Sequence, residues 1–236
     1  GGVKPVAAND DSVEGFIEFS PLNLGGTLKV YNTGAVASAW GEGNPIVVTD
    51  SPTLGAKTDW TYPAGADRQI TLADKYATLI VDTQDPDNAT AHNVTIAAPI
   101  TGAGSLVKDG TGSLTLSSSA NAIGGGVHIK AGTFSYAEPF DFASLTVDAE
   151  ATLEIPSETL SASGDISING AKLNFPASTK EALWSGWTTL ISVPQGFSIS
   201  GTPDLGISNV RLRTIEKDGL VQMQGRIPPG MLLMVR

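Results

Sequence analysis

Ile100-Thr-Gly-Ala-Gly-Ser-Leu-Val-Lys-Asp-Gly-Thr-Gly-Ser-Leu-Thr-Leu116 is the stretch on which the fold turns. Glycine stands at 102, 104, 110 and 112, and between and after these lie Leu106, Leu114 and Leu116. Apolar residues alternating with small or polar ones have the two-residue period of a strand, not the 3.6-residue period of a helix. Glycine at alternate positions removes side chains where neighbouring backbones come close. The segment therefore reads as short strands separated by tight corners, with its leucines pointing to one side.

Outward from this stretch, apolar pairs two apart recur at Leu114/Leu116, Val127/Ile129, Leu145/Val147 and Ile166/Ile168, and their first members step along the chain by 13, 18 and 21. Ala151-x-Leu153-x-Ile155 follows the third pair and Ala171-x-Leu173-x-Phe175 the fourth, across corners at Asp148-Ala-Glu150 and Asn169-Gly170. Asn-Gly adopts positive φ at low cost. A strand, corner and strand repeated about every 20 residues suits one coil of a β-solenoid, which buries its apolar face only by stacking on the next coil. The expected fold is all-β, a β-solenoid; the alternative is a β-sandwich of short hairpins.

Composition agrees. With 27 Gly, 14 Pro and 16% charged residues against a usual share of about 25%, the 236-residue chain is a poor helix former, while 41% hydrophobic residues can fill a core. A net charge of −10 repels a phosphate backbone, so no nucleic-acid partner is expected. The apolar stretch Met231–Val235 is far too short for a spanning helix, so no membrane insertion by this chain is expected. An opening Gly-Gly-Val-Lys without a basic-then-apolar leader suits a processed or trimmed chain, and the absence of Cys removes disulfides and thiolate chemistry.

Three regions follow. Residues 1–95 form an irregular β-rich N-terminal region, with strands expected at 15–19, 26–31 and 77–82 between Gly/Pro loops at 40–45 and 62–67. Residues 96–176 form the solenoid. Residues 177–236 form a C-terminal cap: Ser178-Thr-Lys-Glu181 has capping-box spacing ahead of a short helix, and Asp218-Gly219 joins strands 210–215 and 220–224 as a hairpin. The apolar Gly230–Arg236 is expected to be buried, against its own domain or another subunit.

Residues 100–134 also resemble the autotransporter-associated β-strand repeat of bacterial passenger domains. Gly102, Gly104, Leu106, Lys108, Gly110, Gly112, Leu114, Leu116, Asn121, Gly125, Gly126, Val127, Ile129, Ala131, Gly132, Thr133 and Phe134 follow the family's order. The resemblance implies a secreted, right-handed parallel β-helix, placed extracellularly or on a bacterial cell surface. It is strong over that stretch, looser through the coils that follow it, and present in a single good copy that the first 95 positions do not share. A passenger fragment, or a surface protein using another export route, is the parent expected.

Candidate chemistry is sparse. His128 falls between Val127 and Ile129 and should face outward, and no Gly-x-Ser-x-Gly marks a serine nucleophile. Asp148, Glu150, Glu154, Glu158 and Asp165 do not share a coil register, so a carbohydrate-cleaving enzyme is not expected, nor any cofactor. Asp82, Asp85 and Asp87 form the densest acidic loop and are the calcium candidate, although the EF-hand order is missing and a solvated turn competes. Asn88-Ala-Thr90 and Asn93-Val-Thr95 are glycosylation sequons, accidental in a bacterial chain. Trp40 and Trp60 are the candidate sugar platform, against ordinary packing, and Trp184 and Trp187 have the spacing of one helix face. The functions expected are a non-enzymatic structural or adhesin-like scaffold module, alternatively a self-assembling filament or surface-layer subunit, alternatively a carbohydrate-binding module. Partners would be host or matrix surface components, or copies of the chain itself.

Overall fold

The computed structural model describes residues 22–24, 29–32, 45–65, 68–137 and 142–229. Its strands wind as a parallel β-helix with three faces, numbered here along the chain. Face one stacks β1 (Leu22–Leu24), β3 (Ile46–Val48), β6 (Ile70–Leu72), β9 (Ile100–Gly102) and β12 (Ala122–Ile123). Face two stacks β2 (Lys29–Asn32), β4 (Thr53–Ala56), β7 (Thr78–Asp82), β10 (Ser105–Asp109), β13 (Gly126–Ile129), β15 (Leu145–Val147), the first half of β18 (Ile166–Asn174) and β20 (Ile199–Asp204). Face three stacks β5 (Trp60–Tyr62), β8 (Asn93–Ile96), β11 (Ser113–Leu116), β14 (Gly132–Tyr136), β16 (Ala151–Glu154) and the second half of β18. Every strand pair within residues 100–175 is parallel, which excludes the sandwich of antiparallel hairpins.

The register explains the spacing. Leu106, Val127, Leu145 and Ile166 stack in one inward row, in steps of 21, 18 and 21 along the chain. Leu114, Phe134, Leu153 and Leu173 form another, in steps of 20, 19 and 20. The shorter step from Leu114 to Val127 therefore leads between faces and is not a coil. Inward residues alternate with outward ones along each strand, as a half-buried strand requires, and the inward Leu, Ile, Val and Phe are almost wholly buried. Each contributes about 1.5–3 kcal/mol on burial. No coil can collect this alone, because its inward side chains find their neighbours in the coils above and below.

Stacking is not confined to the residues after 95. Parallel pairing runs back through β7, β4 and β2 on face two, and through β6, β3 and β1 on face one, so the shaft begins well inside the first region. Coils there are longer and unequal: Leu54 lies beside Val81 and Trp60 beside Val94, steps of 27 and 34 along the chain. The step of 34 includes a corner excursion between β7 and β8, closed by an antiparallel bridge from Gln84 to Ala91. The strand expected at 15–19, nearly all of the loop at 40–45 and the apolar segment 230–236 lie outside the described residues.

The cap combines α1 (Ala177–Ser185) with a four-stranded sheet of β17 (Leu160–Ser161), β19 (Thr188–Pro194), β22 (Leu220–Arg226) and β21 (Arg211–Lys217). β19 runs parallel to β17 and then pairs antiparallel with β22, which turns back from β21 through Asp218 and Gly219, both at positive φ. The hairpin thus forms where its turn signal stands. The capping box does not form: Pro176 occupies the N-cap, Ser178 lies inside the helix, and no side chain caps it. Thr179 is instead the buried residue, its hydroxyl donating to the Glu158 carbonyl at 3.2 Å. The helix ends at Ser185, so Trp184 and Trp187 do not share a helix face.

Two glycines separate steric from conformational demand. A Cβ on Gly112 would collide with the backbone of His92 and Thr83 on the coil before it, whereas one on Gly170 meets open space but has φ of +81°. Gly112→Ala should cost about 3 kcal/mol as an overpacking defect, lowering the melting temperature by roughly 6–12 °C. Gly170→Ala should cost about 1–2 kcal/mol through left-handed backbone alone. Thermal unfolding of the two variants side by side checks the order.

Candidate functional site

The repeat coil holds the one buried cation among the described residues. β10 alternates so that Leu106 and Lys108 point into the shaft, and Lys108 is fully buried, in a row where the neighbouring coils supply Val81 and Ile129. Its ammonium donates to the Thr83 hydroxyl at 2.9 Å and to the carbonyls of Asp109, Gly110 and Ala131 at 3.0, 2.7 and 2.9 Å. Those oxygens come from three successive coils. Thr83, also fully buried, in turn donates to the Asp109 carbonyl at 3.0 Å.

Burial pulls the Lys108 pKa down to about 8, and the negative charges of Asp109 and Asp82 oppose that fall. A depression of this size costs about 3 kcal/mol at neutral pH. Bonds from a charged donor contribute about 1.5–3 kcal/mol each, so the oxygen shell is large enough to retain the ion. Asn121 does a similar task on face one. It is buried, its side-chain carbonyl accepts from the Ile100 backbone N–H at 2.9 Å, and its amide donates to the Ser118 carbonyl at 2.6 Å. Sequence reasoning identified both residues as motif positions but gave neither a physical task.

The calcium candidates are Asp82, Asp85 and Asp87. These residues sit on the corner excursion, but each carboxylate answers a different local donor. Asp82 accepts from the Gln84 N–H at 3.0 Å, Asp85 from the Asp87 N–H at 2.8 Å and the Asn88 amide at 3.1 Å, and Asp87 pairs with Lys57 at 2.6 Å. A calcium site needs oxygens converging on one point, and no group of three or more acidic or His residues does so among the described residues. Trp60, a candidate for the sugar platform, is 2% exposed and stands beside Val94 in the stack. Trp40 lies outside the described residues.

Polar groups on the outer faces pair along the stack. His128 meets Asp148 at 2.9 Å, and the Asn174 amide donates to Glu154 at 2.6 Å, each a match between neighbouring coils. Asp59 accepts from the Asn93 N–H at 2.8 Å and from its side-chain amide at 2.9 Å, which, with His92 at 3.5 Å, holds its carboxyl below the usual range. Ser113 donates to the Asn93 side-chain oxygen at 2.6 Å.

A family model described as passenger-associated-transport-repeat matches residues 106–135. The match runs from the inward Leu106 of β10 through β14, and so covers the lysine coil and most of the next. Over that stretch the chain is similar to a repeat of passenger domains. No curated protein and no solved structure matches the chain.

Linkage gives Lys108 a measurable signature. Its folded pKa of about 8 lies below the value near 10.5 of a free lysine. The folded chain therefore releases this proton before the unfolded chain does, and the penalty, constant below pH 8, is relieved as pH rises toward 10.5. Stability of the wild type relative to Lys108→Met should rise by about 2 kcal/mol between pH 7.5 and 10. Tyr62 and Tyr136, both raised by burial, are common to the two proteins and cancel. Denaturant titrations across that range measure it, and parallel profiles would show that the ammonium keeps its proton.

Proposed function

We propose that this chain is a non-enzymatic, adhesin-like structural module of a secreted bacterial surface protein, its β-helix acting as a shaft that carries loops outward to host or matrix components. One observation carries the reading: the residues of the passenger-type repeat are used in stacking. Leu106, Leu114 and Leu116 fill the shaft, Lys108 and Asn121 satisfy backbone groups inside it, and Gly112 lets one coil pass the next. The outer carboxylates support it too, since Asp59, Asp148 and Glu154 answer groups on adjacent coils instead of converging as a general acid and base would.

A peptide tag inserted after Gly170, an exposed corner with open space around it, tests the placement. In the parent protein exported by its own bacterium, intact cells should bind antibody to the tag. Labelling that appears only after lysis would refute the surface reading.

A further inference from the structure

We propose that the outward face of the cap sheet binds an anionic polysaccharide, through Arg211, Arg213 and Arg226 beside the Trp187 ring. This goes beyond the scaffold reading and does not depend on it. Arg211 and Arg226 are cross-strand partners in the β21–β22 hairpin, and Arg213 lies two residues along, opposite Gln224. Directly opposed residues project from the same face with Cβ atoms about 5 Å apart, and like charges so placed destabilise a hairpin. The face is an outer one. Gly225, between Gln224 and Arg226, is turned toward Leu183, Leu190 and Val210, while Arg211 and Arg213 are exposed.

Among the described residues none of the three arginines forms an ion pair, and the hairpin's own acids, Glu216 and Asp218, stand at its opposite, turn end. In a chain with 24 acidic and 14 basic residues, three of the basic ones gather on one hairpin face and form no ion pair among the described residues.

Arg213 is also fixed in place before a ligand arrives. Its guanidinium carbon lies 4.1 Å from the centre of the Trp187 ring, and its Nε and Nη2 both donate to the Gln224 side-chain oxygen, at 3.1 and 2.8 Å. Gln224 donates onward to Thr189 at 3.3 Å and to Gln222 at 3.1 Å, and the Thr189 hydroxyl donates to Gln222 at 3.2 Å. This network orients the charge without neutralising it. With one edge on Gln224 and its face on Trp187, the exposed Arg213 keeps its outer Nη donors for a carboxylate or sulfate, and the part of the Trp187 ring that Arg213 leaves open can meet the CH groups of a sugar. β21 is the edge of its sheet, so an extended polymer can lie along it and meet several arginines at once. Single-stranded nucleic acid fits less well, because its binding uses a succession of stacking rings.

The test is binding of the whole chain to dextran sulfate, with neutral dextran and a single-stranded oligonucleotide alongside. The wild type should bind dextran sulfate in low salt and not neutral dextran. Arg211→Gln, Arg213→Gln and Arg226→Gln should each weaken it about tenfold or more, while Lys75→Gln, remote from the cap, leaves it unchanged. Arg213→Lys keeps the charge but loses the fork and the stack, and should fall as far as Arg213→Gln. Arg226→Gln removes the opposed like charge and should raise the melting temperature by about 1–2 °C, which certifies its fold. The proposal is overturned if the wild type does not bind, if the glutamine variants bind equally well, if Arg213→Lys matches the wild type, if the oligonucleotide binds more tightly, or if the arginines instead support a dimer without polysaccharide.

Discussion

A parallel coil has no hydrogen-bond partner of its own: its N–H and C=O groups point along the shaft and are met only by the coils on either side. Most of what is specific about this chain follows from that. Inward residues must stack in register, corners must let one backbone pass close to the next, and the ends must be closed by something that is not another coil. The antiparallel pairing of β19 with β22, and the short helix beside it, do the last of these. Ile227 fastens the arrangement, its N–H donating to the Leu183 carbonyl at 2.8 Å.

The inside and outside of the shaft obey different rules. Inside, most side chains are aliphatic or aromatic and a polar group survives only where carbonyls surround it, as at Lys108 and Asn121. Outside, polar groups line up one above another, and Thr115 with Ser135 at 2.8 Å repeats the pattern of the acid and amide pairs. Such ladders make a regular surface that commits little to chemistry. On the cap, three arginines stand on one face of a hairpin, and none of them forms an ion pair among the described residues.

What could be read from the residues depended on how tightly corners are drawn. Between Leu106 and Leu173 the corners are short, successive coils are nearly equal in length, and the period surfaces in the sequence. Before Ser105 the corners carry excursions such as Asp82–His92, the step from coil to coil stretches to 27 or 34, and the same architecture looks irregular. Asp218-Gly219 was legible because positive φ at both positions is a local demand. Ser178 to Glu181 misled because the chain enters the helix earlier, at Pro176, so the serine has no free N–H to cap. Trp60 and the Asp82–Asp87 loop show the remaining gap: a residue type suggests a ligand, and only its neighbours decide whether it is already occupied.

The shell around Lys108 ties three coils to one another. Thr83 belongs to the preceding coil, Gly110 to its own, and Ala131 to the following one. One ammonium thus acts as a rivet through the stack: loosening any of the three turns strips oxygens from a charge that lies in an apolar shaft, so damage at one level is felt at the next.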